Sequence, residues 1–443
     1  MFKDLREFLD FLDRQKDLIT IKNCEISDVP AAVRKVSDTQ GPAILFKDIK
    51  GYDIPVAGGI FATRDRAFSS LKTSEGQHLE KISEAVRDPI PPKLVESGSC
   101  QEFDLTGNKV DFTKIPIPTH SEKDAGPYIT AGLQITKDPE TGTRNAAIYR
   151  MQVKGKNRLS IEFQPFADIA TQLAKAEKTN KPLEIAIAIG LDPVIYIASQ
   201  MKVPYGVDIL GIAGRLRGEA VEVVKCKTVD LEVPANSEFV IEGKVLPNTR
   251  EPEGPFGDFT GYYGDMSPQP VIEAKAITHR ENPIYQTMLS GMPRTENHVL
   301  VEIGLEATMY DELKRTFPDM KATHVICPGQ SIGIVSLKQR YKGQARRLIL
   351  EALGRISRLK YLITVDEDID VFNTDQVLWA IATRAQPAED FIIVSNVSGG
   401  PLDPSVPEKG ITSIMGIDAT KPFGVQFPGA VKVPKSSMKL TSA

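Results

Sequence analysis

Apolar residues in the first part of the chain recur with helical spacing and then in short extended runs. The residues that share one helical face are Phe2, Leu5, Phe8, Leu9 and Leu12. This spacing predicts an amphipathic N-terminal helix. The apolar runs Leu18–Ile21 and Ala43–Phe46 predict strands, whereas five prolines between residues 85 and 125 predict a connecting segment.

Between residues 128 and 290 the pattern is mainly that of strands. The predicted strands are Ile129–Ile135, Asn145–Val153, Leu159–Phe163, Leu183–Gly190, Val221–Lys225, Phe239–Ile241 and Pro270–His279. Residues 154–157 contain a glycine between two of these runs and predict a hairpin turn. One helix, Ala167–Lys178, is predicted within this series of strands.

From about residue 295 helices alternate with strands. The predicted helices are Thr295–Arg315, Gln344–Leu359 and Asp375–Thr383, and the predicted strands are His324–Cys327, Ile332–Leu337, Tyr361–Val365 and, as the last one, Phe391–Val394. This order favours an α/β unit with a largely parallel sheet. The patterns divide the chain into an α/β region (1–115), a mainly β domain (116–294), an α/β domain (295–425) and a tail (426–443).

Composition and charge remove several classes of function. The net charge of -4 comes without a basic cluster, which argues against nucleic-acid binding. The first fifteen residues mix acids and bases, so we expect no signal peptide and a cytoplasmic location. The longest apolar stretch, 183–199, is interrupted by Glu184 and Asp192, which argues against a transmembrane helix and against membrane partners.

Cysteine and histidine usage narrows the possible chemistry further. The four cysteines, Cys24, Cys100, Cys226 and Cys327, are far apart and form no CxxC pair, so we expect reduced thiols. The five histidines form neither an HExxH nor an HxH motif, which argues against a histidine-rich zinc site.

The segment from Glu253 to Gly264, EGPFGDFTGYYG, is the most informative stretch for chemistry. Its glycines and proline force an irregular path, on which Glu253 and Asp258 lie five residues apart. Such a path either positions carboxylates at a concave site or forms a solvated turn. Asn145 and Arg150, in NAAIYR, are a second and weaker indication of a site.

The segments EGPFGDFTGYY, NxxxYR, VDEDIDVFNTDQVLWAIATRAQP, SGGPLDPSVPEKG and MGIDATKP together resemble the UbiD-type decarboxylases, and the resemblance runs from about residue 3 to about residue 425. It implies three parts: an N-terminal α/β region, a central split β-barrel that holds a flavin, and a C-terminal α/β oligomerisation domain. The implied cofactors are prenylated FMN, Mn²⁺ or Mg²⁺, and K⁺. The implied reaction is reversible, non-oxidative decarboxylation of a small aromatic or α,β-unsaturated acid, which releases CO2. Because the cleaved bond leaves carbanion character on an sp2 carbon, a cofactor must act as electron sink.

The resemblance also assigns residues. Arg150, Glu253 and Asp258 would form the acid-base trio, with Asp258 as proton donor. The residues implied to contact the cofactor are Asn145, Ile148, Tyr149, Gln164, Ser199, Gln200, Met201 and Lys202. Homo-oligomers, either dimers or hexamers, are implied as well.

Three positions depart from the family pattern. Of the family's Asn, His and Glu metal ligands only Asn145 is present, because Phe166 (or Pro165, one register over) replaces the histidine and Ile209 replaces the glutamate. Ile414 stands where the family has a lysine near the flavin. Phenylalanine and isoleucine offer no ligand atoms to a divalent ion.

These departures leave two interpretations open. Either the flavin binds without its usual metal, with Lys202 as a hypothetical source of positive charge, or the chain no longer holds prenylated FMN. The second case would resemble the UbiD-like subunits of phenylphosphate carboxylase, which would make the chain part of a hetero-oligomer. Asp208 could supply one ligand if its loop shifted by a residue. We expect His298 to lie in the first turn of a helix, and Arg346, Arg347, Arg355 and Arg358 to be surface or interface charges.

Overall fold

The computed structural model describes residues 1–400, 402–406, 408 and 410–431, so residues 432–443 of the predicted tail lie outside the described residues. The strands are β1 (Leu18–Lys22), β2 (Ala43–Lys47), β3 (Val56–Gly58), β4 (Lys93–Leu94), β5 (Phe103–Thr106), β6 (Tyr128–Ile129), β7 (Leu133–Lys137), β8 (Arg144–Ile148), β9 (Met151–Val153), β10 (Arg158–Ile161), β11 (Leu183–Ile189), β12 (Glu222–Lys225), β13 (Glu232–Pro234), β14 (Phe239–Glu253), β15 (Phe256–Gly257), β16 (Tyr263–Gly264), β17 (Ser267–His279), β18 (Tyr285–Gln286), β19 (Met320–Ile326), β20 (Ser331–Leu337), β21 (Leu359–Asp366), β22 (Phe391–Ser398) and β23 (Ile411–Ala419). The helices are α1 (Leu5–Arg14), α2 (Asp28–Thr39), α3 (Arg64–Leu71), α4 (Gln77–Arg87), α5 (Asp168–Lys178), α6 (Pro193–Ala198), α7 (Ile209–Arg217), α8 (Glu296–Thr316), α9 (Gln344–Arg355), α10 (Thr374–Arg384) and α11 (Pro387–Asp390), with 3-10 turns at Ser99–Gln101, Gly107–Lys109 and Phe112–Lys114.

The N-terminal region is a small sheet with helices packed against it. Asp4 caps α1 by accepting a hydrogen bond from the backbone N–H of Glu7, and the predicted apolar face of α1 is buried. The sheet order is β1-β2-β3-β18. Strand β18 comes from much later in the chain and pairs in parallel with β3, so it ties the N-terminal region to the central part of the fold.

A nine-stranded sheet forms the centre of the molecule. Its order is β6-β9-β10-β17-β14-β11-β7-β8, and β5 pairs with the last part of β17, beyond the end of β10. The two longest strands, β14 and β17, pair antiparallel. Since Glu253 is the last residue of β14, this rigid pairing fixes the point at which the glycine-rich segment begins.

The C-terminal sheet has the order β19-β20-β21-β23-β22. The three strands β20, β21 and β23 run parallel, as predicted, whereas both edge strands pair antiparallel. Strand β23, which the sequence reading missed, lies inside the sheet and follows the strand expected to be last. Helix α9 also ends at Arg355 rather than at the predicted Leu359, because Leu359 begins β21.

Helix α8 connects the central sheet to the C-terminal sheet. It begins as predicted after Thr295, which forms a capping box with His298. Further along, the fully buried Glu306 accepts hydrogen bonds from Arg64 (2.7 Å) and contacts His78 (2.8 Å) and His324 (2.6 Å). This cluster joins α3, α4, α8 and β19. In the part of the chain that the structure describes, no helix is long and apolar enough to cross a bilayer.

Candidate active site

Arg150 gathers three carboxylates around one guanidinium group. Its Nε and Nη2 donate to the two carboxylate oxygens of Glu253 at 3.1 and 3.2 Å. Its Nη1 donates to Asp258, and Nη2 also forms an ion pair with Glu162. The guanidinium lies 4.9 Å from the ring centre of Phe256, which it covers. The structure therefore brings the sequence-predicted trio together and adds a fourth member, Glu162.

Glu162 is the residue that the sequence reading missed, although the hairpin contains the signal for it. Strands β9 and β10 pair antiparallel, with Val153 opposite Leu159 across the predicted turn at 154–157. Continuing this register places position 162 opposite position 150, and the backbone N–H of Glu162 does donate to the carbonyl of Arg150 at 3.3 Å. Directly opposite residues in a hairpin have neighbouring side chains.

The electrostatics favour one retained proton within this cluster. Burial, followed by the charges of Glu253 and Asp258, raises the pKa of Glu162 to about 7, against the opposing effect of Arg150. Burial, with the charge of Glu253, likewise raises the pKa of Asp258. Burial alone would lower the pKa of Arg150, but its hydrogen bond with Glu253 and the other carboxylates raise it. Three carboxylates on one cation are not fully neutralised, which favours the protonated form of one carboxyl group in this cluster.

The glycine-rich segment is shaped by close backbone approaches. A Cβ on Gly257 would lie 2.6 Å from Oγ of Ser121, so no side chain fits there without a shift. The N–H of Gly257 donates to Asp124 at 2.8 Å, and Gly261 has a positive φ of 82°. The segment is thus a structured turn that holds Asp258 in place, rather than a solvated one.

His298 holds the same segment from the other side. Its Nε2 contacts the carbonyl of Phe259 at 2.6 Å, while its Nδ1 accepts a hydrogen bond from the backbone N–H of Thr295 at 3.1 Å. Burial lowers the pKa of His298 to about 4, so the imidazole is neutral at physiological pH and donates through Nε2. The expected first-turn histidine therefore positions the backbone next to Asp258.

A cavity of about 500 Å³ opens beside the cluster, between the central sheet and the C-terminal domain. Phe259, the neighbour of Asp258, forms part of its wall. Three of the predicted cofactor residues, Ile148, Gln164 and Gln200, line it as well. The volume and the mixture of apolar and polar lining are typical of small-molecule and cofactor sites.

The other predicted cofactor residues are not among those that line the cavity. Asn145 is buried on β8, where its side chain interacts with that of Tyr149. Tyr149 follows β8 and donates its backbone N–H to Gln134. The hydroxyl of Ser199 donates to the carbonyl of Tyr196 at 2.7 Å. The remaining two differ in exposure: the side chain of Met201 packs in the core, and the side chain of Lys202 is exposed.

The described residues at the family's metal position do not fit a divalent ion. Phe166 lines the cavity and is 64% exposed, and Ile209 is buried in the core at the start of α7. Asp208 is already engaged, because it caps α7 and forms an ion pair with Arg144 at 2.6 Å. Ile414 packs in the C-terminal core. Among the described residues at this position, the amide of Asn145 alone is of the expected ligand type, which is too few ligands for such an ion.

Arg358 differs in position from the other arginines of this region. We expected it at the surface or an interface, together with Arg346, Arg347 and Arg355, but it lies in the wall of the cavity. The other three arginines are on α9 and are exposed. Arg358 is exposed like the others, but α9 ends at Arg355, and the turn that follows it places Arg358 in the wall of the cavity.

Comparisons with known proteins agree with this architecture. Family models described as the Rift-related, N-terminal and C-terminal domains of 3-octaprenyl-4-hydroxybenzoate carboxy-lyase match residues 93–293, 9–86 and 298–419. A phenolic acid decarboxylase from Bacillus subtilis is 35% identical and covers 98% of this chain and 96% of its own. The UbiD-class enzyme HmfF from Pelotomaculum thermopropionicum, solved with FMN, has a TM-score of 0.91 at 38% identity and covers 97% of both chains. An evolved dimeric form of HmfF, solved with prFMN, has a TM-score of 0.89 at 36% identity and covers 98% of this chain and 97% of its own. The chain therefore belongs to the UbiD family of carboxy-lyases.

Proposed function

We propose that this protein catalyses reversible, non-oxidative decarboxylation of a small aromatic or α,β-unsaturated carboxylic acid. The observation that carries the proposal is the buried cluster of Arg150, Glu253, Asp258 and Glu162 beside a cavity of about 500 Å³. The related phenolic acid decarboxylase acts on a substrate of the same class, as its name states. Apolar lining residues such as Met288 suit an aromatic or unsaturated carbon skeleton.

The cofactor of this reaction is proposed to be prenylated FMN, held in the same cavity. Ile148, Gln164 and Gln200 line the space that it would occupy. When bound, this flavin supplies the electron sink that removal of CO2 from an sp2 carbon requires. Solved HmfF complexes with FMN and prFMN support this choice.

The cluster residues would move the proton. Asp258, whose pKa is raised by burial, would donate a proton to the carbon that CO2 vacates, and would remove it in the carboxylation direction. Arg150 would hold Glu253 ionised and aligned through its two hydrogen bonds. Glu162, on the same guanidinium, would exchange the proton with the rest of the cluster and keep it available near pH 7.

The test is CO2 release from a panel of aromatic and unsaturated acids by protein that is co-expressed with a flavin prenyltransferase. Asp258→Asn should abolish turnover while the flavin content, read by visible absorption and native mass spectrometry, stays unchanged. Asp265→Asn, a change in an exposed acid directly after the glycine-rich segment, is the matched control and should leave turnover near the wild-type rate. Full activity of Asp258→Asn would remove Asp258 from the mechanism, and inactivity of flavin-loaded wild-type protein on the whole panel would contradict the proposal.

A second candidate function is a flavin-free, UbiD-like subunit of a larger carboxylase. Phe166, Ile209 and Ile414, which stand in place of polar family residues, favour it. Protein that stays colourless after co-expression and purifies with other carboxylase subunits would support this candidate. For the leading proposal we expect a homo-oligomer, a dimer or a hexamer, which native mass spectrometry would detect.

A further inference from the structure

Helix α8 turns one of its faces towards the cavity. Asn297, Leu300 and Val301, spaced i, i+3 and i+4, all line the cavity, and Asn297 is the one polar residue of the three. Its side chain is half-buried and forms no hydrogen bond with any residue that the structure describes. The neighbouring His298 holds this end of the helix against the carbonyl of Phe259 at 2.6 Å. An amide with free donor and acceptor atoms therefore lies on an apolar wall next to the glycine-rich segment.

A second amide reaches the same cavity from the C-terminal domain. Gln330 lies in the turn between β19 and β20 and lines the cavity. Its Nε2 is buried without a hydrogen-bond partner among the described residues, and its Oε1 forms no hydrogen bond with them either. The same turn packs on the glycine-rich segment, because a Cβ on Gly329 would lie 2.9 Å from the carbonyl oxygen of Thr260, two residues after Asp258. Since buried amide groups in folded proteins normally have partners, this one indicates a place for a bound molecule.

The chemistry of two amides selects one kind of ligand group. An amide offers a donor and an acceptor but carries no charge. A hydroxyl group matches a pair of amides, because its oxygen accepts a hydrogen bond from one while its proton is donated to the other. An anionic substituent would instead be matched by a guanidinium or an ammonium group. The two amides therefore suit a neutral hydroxyl group on a largely apolar skeleton.

We propose that Asn297 and Gln330 determine substrate specificity by binding a hydroxyl substituent of the acid, so that the substrate is a hydroxylated aromatic acid. The proposal rests on the proposed decarboxylase function. Asn297 would donate through Nδ2 to the hydroxyl oxygen, and Gln330 would accept the hydroxyl proton through Oε1. Leu300 and Val301 would pack against the carbon skeleton of the acid.

The test compares acids that differ only in the hydroxyl group. One pair is 4-hydroxybenzoic and benzoic acid, and the other is 4-hydroxycinnamic and cinnamic acid. Turnover is measured as kcat/KM for CO2 release by flavin-loaded protein, and binding by calorimetric titration of flavin-loaded protein that carries Asp258→Asn to prevent turnover. The hydroxylated acid of at least one pair should be preferred by at least about tenfold in both measurements, because the other acid leaves the amides unpaired.

Asn297→Leu and Gln330→Met remove the amides while nearly keeping the size of the side chains. In the double variant the preference should fall to within about threefold of one, through weaker binding of the hydroxylated acid. Binding of the unsubstituted acid and the flavin content should stay unchanged, which shows that the variant is folded. Gln386→Met is the matched control, since Gln386 is exposed and is not among the residues that line the cavity, and it should keep the wild-type preference.

The outcomes separate this proposal from the decarboxylase function. A preference that survives in the double variant, or equal binding of both acids of each pair by the wild-type site, would overturn the role of the two amides while leaving decarboxylation in place. A hydroxyl preference in binding that is lost in the double variant, without CO2 release from any acid, would support the two amides and contradict the proposed activity. Flavin-loaded protein that binds none of the four acids would overturn the assignment of the two amides.

Discussion

Replacing Arg150 by methionine probes the cluster most severely. Within the part of the chain that the structure describes, the change removes the one cation that contacts Glu162, Glu253 and Asp258, whose side chains are 17%, 0% and 10% exposed. Removing one partner of a buried ion pair costs about 3–5 kcal/mol. At pH 8 we therefore expect the free energy of unfolding of Arg150→Met to fall by about that amount.

The size of this loss should depend on pH. In the variant the three carboxyl groups bind protons more tightly in the folded than in the unfolded state, so stability is gained as pH falls and lost as pH rises. Because burial already raises the pKa of Glu162 to about 7, that group is mostly neutral at pH 5.5 and needs no cation there. The loss at pH 5.5 should be smaller by at least about 1.4 kcal/mol, the value of one pKa unit.

Urea unfolding of both proteins at pH 5.5 and pH 8 measures this difference. The matched control is Arg158→Met, because Arg158 lies on the same hairpin but is 43% exposed and, among the described residues, pairs with Glu251 alone. That change should cost less than about 1 kcal/mol at either pH. Equal losses for Arg150→Met at the two pH values would refute the idea that the guanidinium acts by compensating buried carboxylates.

Three further changes test neighbouring features. Glu162→Gln removes the carboxyl group with a pKa of about 7, so the pH profile of turnover should lose its inflection near pH 7 when kcat/KM is measured from pH 5.5 to 8.5. His298→Ala removes the donor to the carbonyl of Phe259, so it should cost about 1–3 kcal/mol in urea unfolding and lower kcat equally at pH 6 and pH 8, since the imidazole is neutral at both. Glu306→Gln leaves Arg64 with a weaker buried partner and should cost about 3–5 kcal/mol in urea unfolding.

For each of these three variants, one result would contradict the prediction. An inflection near pH 7 that persists in Glu162→Gln would move the titrating group elsewhere. A loss of activity in His298→Ala at only one of the two pH values would mean that the imidazole titrates. Glu75→Gln, a change in the exposed acid that also binds Arg64, is the control for Glu306→Gln and should lower the free energy of unfolding by less than about 1 kcal/mol. Equal losses for the two variants would show that the burial of Glu306 does not cause its larger effect on stability.

Local patterns predicted much of the fold. They failed for elements whose conformation depends on contacts with residues distant in sequence. The face of α1 and the start of α8 at Thr295 follow from apolar spacing and a capping residue, both of which are local. Strand β23 could not be recognised in the same way, because its place inside the C-terminal sheet depends on pairing with β21, about fifty residues earlier. The end of α9 was placed too late for a related reason: Leu359 has good helical propensity but is recruited into β21.

The candidate site shows the same division. The motif residues Arg150, Glu253 and Asp258 were predicted from the resemblance, and the structure brings them together. Glu162 was within reach, since the hairpin register alone places it opposite Arg150. The position of Arg358 in the cavity wall could not be predicted from the sequence. It depends on the packing of the C-terminal domain against the central sheet, which no local pattern encodes.

The most direct test of the central claim is decarboxylation in D2O, with the product examined by NMR. If the cluster replaces CO2 with a proton, flavin-loaded wild-type protein should release one CO2 per product and place one deuterium on the vacated carbon, and Asp258→Asn should do neither. Flavin-loaded protein with an intact cluster that releases no CO2 from any acid tested would contradict the proposed activity, and Asp258→Asn that matches the wild-type rate would contradict the assigned proton donor.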